Sequence, residues 1–326
     1  MSGILNADMS TNSTPYESAS GPRRPLTADE ERWLTCVAHM AAAGKQVAQP
    51  LYGTASGRVV LGQGAGGDRT LEIDRACEAA IHQVLEIEAP FPYLLVSEES
   101  GISGSENAPW RVVVDPVDGS LNAKRGLEPF AVSIAVARED SFGGVTVAYI
   151  EDYLRPHCYS AVKGAGLLSA GSPAGSASAA SPGGAAALDP LRFESDLAEI
   201  VLLEAGRPDR HHFSYDELSV VGTAGRSQDM RIRQIGSLAL SLCYVATGVA
   251  DILVAAVRSR SVDLAAGLLI LAEAGGGAAT LTGQDIWAQP LDLEKRCPFV
   301  AWRAGLDGTE IVAHTRELQR TLLVNP

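Results

Sequence analysis

The sequence predicts a mixed α/β or α+β protein, with sheets and helices stacked in layers around one large core. Apolar residues recur at helical spacing in some stretches and give way to β-branched runs in others. The two kinds of stretch alternate through both halves of the chain. A length of 326 residues holds one large or two ordinary domains, and no internal repeat breaks the pattern.

Residues 1–26 are polar and rich in Ser, Thr and Pro, the composition of a disordered tail. Thr27 and Glu30 have capping-box spacing, and the helix they open places Trp33, Leu34, Val37 and Ala41 on one face. After the Gly-rich loop "GQGAGGD", a second helix is marked by Ile73, Ala76, Cys77, Ala80, Ile81, Val84 and Leu85. Asp68 or Thr70 is its expected cap, which sets Asp74 about one turn inside. "YLLVSEES", "WRVVVDP", "AVSIAVARE" and "GGVTVAYIEDY" then read as strands, completing an N-terminal half at 27–168.

The segment 169–190 is low-complexity Gly/Ser/Ala/Pro and reads as a flexible loop. The C-terminal half, 191–326, begins with a strand at Ile200–Glu204 and a helix opening near Gly236–Ser237. A strand at Ile252–Val257 and a helix through "DLAAGLLILAEAGG" follow. A short strand at Phe299–Trp302 and a helix from about Thr309 close the chain.

Composition excludes several classes. A formal net charge of −13 argues against a nucleic-acid partner, which requires a basic face. Cysteines 36, 77, 158, 243 and 297 form no CxxC pair, so reduced, packed thiols of a cytoplasmic protein are expected rather than disulfides or a zinc site. The N-terminus has no apolar signal core. The most apolar stretch, "SLALSLCYVATGVADILVAAV", is broken by Gly248 and Asp251, which suits a buried helix and strand rather than a membrane span.

Four acidic segments stand out, each with a plain reading of its own. Glu98 and Glu99 end a strand, as solvated acids often do. In "DPVDGS", Asp115 and Asp118 flank a Pro turn, but with the Val117 carbonyl between them they also form an oxygen cluster suited to Mg²⁺. Asp263 stands just before an Ala/Gly-rich helix, where an N-cap is the ordinary role. Asp74 can be a polar-face residue.

The ordered set "TLEID", "SEES", "DPVDGS", "GSLAL" and "VDLAAG" resembles the inositol monophosphatase family of metal-dependent phosphatases. In motif style it is most similar to the archaeal and bacterial members acting on inositol monophosphate and fructose 1,6-bisphosphate. The resemblance implies an αβαβα five-layer sandwich and a Mg²⁺-dependent phosphomonoesterase holding two or three ions. It makes Glu98, Asp115, Asp118, Asp263 and the Val117 carbonyl metal ligands, with Asp74 and Ser120 activating the attacking water. Gly119 and Ser120 would cradle the phosphate, while Gly236, Ser237 and Arg260 would contact the rest of a small phosphate ester. A homodimer is compatible with this reading.

Departures bear on substrate. Ser120 replaces a common Thr, Ala256 stands where inositol-selective members carry an acid, and the Lys124–Arg125 pair is unfamiliar. Arg258 and Arg260, five and three positions before Asp263, are expected near the pocket mouth, where a guanidinium would grip a bisphosphate's second phosphate. Histidinol phosphate or a 3′-phosphonucleotide is the alternative substrate, and a catalytically silent phosphate sensor the alternative class.

Overall fold

The computed structural model describes residues 23–172, 197–204 and 230–315. Helix α1 (Ala28–Leu51) opens on the expected capping box, with the Thr27 amide donating to the Glu30 carboxylate at 2.9 Å. Trp33, Val37 and Ala41 are buried, and Leu34 lies half-buried at the edge of their stripe. The Gly-rich stretch is not a simple loop. It forms the turn of an antiparallel hairpin, β1 (Val60–Gln63) and β2 (Arg69–Leu71), which runs directly into α2 (Glu72–Glu88). Pairing with β1 keeps the backbone extended through Leu71, so that residue, not Asp68 or Thr70, takes the cap position.

The strands read from the first half are β3 (Tyr93–Ser97), β5 (Trp110–Asp118), β6 (Ala131–Ala137) and β7 (Val145–Asp152). Three more lie beyond those expected: β4 (Gly101–Gly104), β8 (Cys158–Val162) and β9 (Gly166–Ser172). Together they make a seven-stranded sheet in the order β4-β3-β5-β6-β7-β8-β9, in which only β3 and β5 pair in parallel. A short helix, α3 (Ser120–Arg125), follows β5. β9 claims residues 169–172 of the expected flexible loop, because pairing with β8 overrides weak local preference. Residues 173–190 lie outside the described residues, as does the tail through residue 22.

The second sheet contains β10 (Ile200–Glu204), β11 (Arg231–Arg233), β12 (Ile252–Ser259), β13 (Gly277–Thr280) and β14 (Cys297–Trp302), in the order β11-β10-β12-β14-β13. Helices α4 (Leu238–Ala246) and α5 (Ser261–Glu273) belong to this half, and residues 308–315 are helical.

Side-chain alternation explains the layering. On β5, Val112 and Val114 join the core under α1 and α2, while Val113 joins the core containing α4 and α5. Burial on both faces makes the run continuously apolar. The α4–α5 core also takes Leu253 and Phe299 from the second sheet, whose far face packs Val254 and Val300 with Ile311. Helix, sheet, helix, sheet and helix therefore stack as αβαβα. The apolar stretch flagged above becomes α4 and β12, and no described helix is long and apolar enough to cross a membrane. All five cysteines are free and buried.

Candidate metal centre

β5 and β6 lose register between Asp115 and Asp118. There the Val117 amide donates to Asp115 Oδ1 at 2.9 Å, and the buried Tyr153 hydroxyl props the turn by donating to the Pro116 carbonyl at 2.8 Å. β3 runs parallel to β5 with Ser97 opposite Val114, which brings Glu98 beside Asp115. Asp263 arrives from α5. It lies within the first turn, not before the helix, because α5 begins at Ser261 and Asp263 Oδ2 accepts the Arg260 amide at 2.9 Å. The Ser133 hydroxyl, opposite Asp115 on β6, ties this turn to the first sheet by donating to the Val262 carbonyl at 3.3 Å.

One carboxylate oxygen from each of Glu98, Asp115 and Asp263 lies within 4.8 Å of the others, and all three residues are buried. Burial pushes the carboxyl groups of Glu98 and Asp115 up from their ordinary range; repulsion from Asp263 adds to it at Glu98, and repulsion from Glu98, Asp118 and Asp263 adds to it at Asp115. Arg260 works against the rise at both.

Asp118 sits at the start of α4. It accepts the Ser237 hydroxyl at 2.5 Å, the Ala239 amide at 2.7 Å and the Leu238 amide at 3.2 Å. Burial and then Asp263 raise its pKa, and the Ser237 hydroxyl opposes them. Gly119 has φ +97°, and a Cβ there would meet the Gly236 carbonyl at 3.1 Å, so the two glycine turns face each other closely. Asn122 fixes that approach, its Nδ2 donating to the Ile235 carbonyl at 2.9 Å. Behind them Glu204, at the end of β10, accepts the Ile235 and Gly236 amides at 3.1 and 3.0 Å. Sequence reasoning missed Glu204, although an acid ending the strand "IVLLE" is the same signal as in "SEES".

Asp74, in the first turn of α2, accepts the Leu71 amide on Oδ2 at 2.8 Å, while its Oδ1 is buried without a hydrogen-bond partner. Burial lifts this carboxyl to about 7, against the pull of the Leu71 amide and the Ser120 hydroxyl. Ser120 donates to the Val117 carbonyl at 2.9 Å. Glu99 is turned to Thr70, which donates to it, and burial lifts its carboxyl to about 7. Lys124 and Arg125 occupy the last turn of α3. Arg260 does not project to a pocket mouth; its guanidinium lies on Glu98, Asp263 and Asp68. The side chains of Ala256 and Arg258 lie outside the described residues.

An all-oxygen donor set of this kind fits a hard divalent cation.

The layered fold and this cluster point to one class of protein, and the sequence pattern of that class matches residues 29–323. The chain belongs to the inositol monophosphatase family. A protein named Nus factor SuhB from Pasteurella multocida is 32% identical over 224 residues, covering 66% of this chain and 73% of its own. A fructose-1,6-bisphosphatase/inositol-1-monophosphatase from Methanothermobacter thermautotrophicus is 30% identical over 271 residues, covering 78% and 86%. Among solved structures, an IMPase from Thermotoga maritima superposes with a TM-score of 0.65 at 21% identity, covering 89% of this chain and 99% of that one. A likeness at that identity speaks for the fold alone.

Proposed function

We propose that the chain is a Mg²⁺-dependent phosphomonoesterase acting on a sugar or inositol phosphate, with inositol 1-phosphate and fructose 1,6-bisphosphate as first candidates. The observation that carries this reading is the meeting of Glu98, Asp115 and Asp263, from three separate segments, in one buried cluster. These acids, with Asp118 and the Val117 carbonyl, would hold two or three ions. When bound, such ions lower the pKa of an attacking water and offset the charge of the phosphate.

The protein's own part is positioning. Asp74, with a buried free oxygen, would orient that water and take its proton, with Ser120 completing the pair. The Gly119 and Ser120 amides would receive the phosphate oxygens at the start of α3. Gly236 and Ser237 would border the remainder of the substrate. Because its guanidinium is engaged with the acids, Arg260 is not counted among the substrate contacts.

The relatives carry two kinds of name, a bisphosphatase/monophosphatase and a Nus factor. The second keeps open a regulatory reading without catalysis, and the retained Asp74–Ser120 pair favours catalysis over it. Phosphate release from inositol 1-phosphate, fructose 1,6-bisphosphate, histidinol phosphate and a 3′-phosphonucleotide, with Mg²⁺ and with chelator, tests the proposal. Mg²⁺-dependent release from a sugar or inositol phosphate is expected. Release from none of the four would overturn it in favour of the silent reading.

A further inference from the structure

All three guanidinium nitrogens of Arg260 engage acids. Nη1 meets Glu98 Oε1 and, at 3.1 Å, Asp68 Oδ2. Nη2 reaches Asp263 Oδ1 at 3.0 Å and Nε reaches Asp263 Oδ2 at 3.3 Å. Only 8% of the residue is exposed. The turn of the β1–β2 hairpin closes over it: the Gly66 amide donates to the Glu98 carbonyl at 2.7 Å, and a Cβ on Gly66 would come 2.7 Å from Arg260 Nη1. Hairpin, guanidinium and Glu98 thus form one packed unit.

Glu98 and Asp263 are two of the three acids gathered for a cation. An oxygen that accepts a fork of N–H donors has a lone pair engaged that a metal would otherwise use. A guanidinium and a dication held side by side also repel each other. Arginine keeps its charge at any ordinary pH, so it yields the site only by moving as a body.

We propose that Arg260 is a built-in cation that competes with one divalent ion for the Glu98–Asp263 pair. The chain therefore binds that ion weakly, and only as Arg260 is displaced. This rests on the divalent-cation reading above, and it makes occupancy by that ion sensitive to cellular metal concentration.

The test is Mn²⁺ binding to the full chain, followed by the loss of free-ion electron paramagnetic resonance signal. The native protein is compared with Arg260→Met, Asp68→Asn and Asp115→Asn. Arg260→Met should tighten that ion at least tenfold, while melting at a lower temperature in chelator and gaining more on Mn²⁺ addition than the native protein. Loss of a merely structural arginine would weaken binding instead. Asp68 is a surface anchor with a side chain 75% exposed, so Asp68→Asn should leave the fold intact, free one arm of Arg260 and tighten the same ion by about twofold. Equal or weaker Mn²⁺ binding in both Arg260→Met and Asp68→Asn would overturn the competition while leaving the cation reading standing. Absence of Mn²⁺ binding in every protein, or binding unchanged by Asp115→Asn, would overturn both.

Discussion

Replacing Asp118 by Ala removes the acceptor of three hydrogen bonds at the start of α4, made at 2.5, 2.7 and 3.2 Å by Ser237, Ala239 and Leu238. Loss of a helix cap costs ~1–2 kcal/mol, and a buried donor left unmet adds ~1–3 kcal/mol. One effect runs the other way. Asp118 is buried beside Asp263, and removing it relieves like-charge repulsion, where each tenfold change in proton affinity corresponds to ~1.4 kcal/mol. At pH 7 that relief, from a carboxyl raised to about 7, reaches ~4 kcal/mol and matches the lost cap and donors; near pH 4, where the carboxyl is protonated in the folded protein and little charge is relieved, a net loss of about 2 kcal/mol is expected in chelator. For a chain of this size that lowers the melting temperature by ~3 °C. Urea unfolding followed by circular dichroism measures it directly. Mg²⁺ should widen the gap, because only a protein with its full ligand set gains the stabilisation of a ligand bound to the native state. Native-like stability in chelator near pH 4 would refute the capping argument, and a gap at pH 7 unchanged by Mg²⁺ would remove Asp118 from the ligand set.

Asp74 has a folded-state pKa raised from 3.8 to about 7, so its protonated form is favoured in the native protein. In chelator, that contribution is fully present below pH ~4 and is lost as pH rises through ~7, by ~4 kcal/mol at most. Asp74→Asn should flatten the fall of melting temperature across this window; an unchanged slope would contradict the assignment. Gly119→Ala forces φ +97° on a residue with a side chain and sets its Cβ 3.1 Å from the Gly236 carbonyl. A loss of ~1–3 kcal/mol is expected, with phosphatase turnover falling more than tenfold as the two glycine turns part. Calorimetry and a steady-state assay check the pair of effects, and a native melting temperature would show that the turn accommodates the methyl group.

An acid ending a strand is ordinary by itself, so the acids at the ends of β3 and β5 were legible only as members of an ordered set of motifs, and parallel pairing brings the two ends together. The residues alone indicated layers around one core, and the αβαβα order came with the family resemblance; it accounts for runs such as "RVVVD", which are apolar on both faces because helices cover both. β8 and β9 were not legible, since "CYSAV" and "GLLSAGS" carry little β-branched character and are held by pairing with each other. Capping of α4 by Asp118 spans more than a hundred residues of sequence, and no local pattern records it. The direction of Arg260 was equally hidden. Its spacing from Asp263 is compatible with either face, and the hairpin that closes over it is remote in sequence.

Asp118 belongs to a strand of the first sheet, yet its carboxylate is gripped by a helix that lies between the sheets, and Ser133 reaches across in the same way to the turn holding Asp263. The site is thus common property of the two halves, completed only when the central helical layer is seated. A substitution that slides α4 or α5 by a fraction of an ångström would reset the spacing of the acids without altering any of them. Over evolutionary time, a lineage with this architecture can retune what it acts on by repacking inert side chains along that seam, leaving its chemical groups unchanged. Comparing motifs alone would not detect such a change.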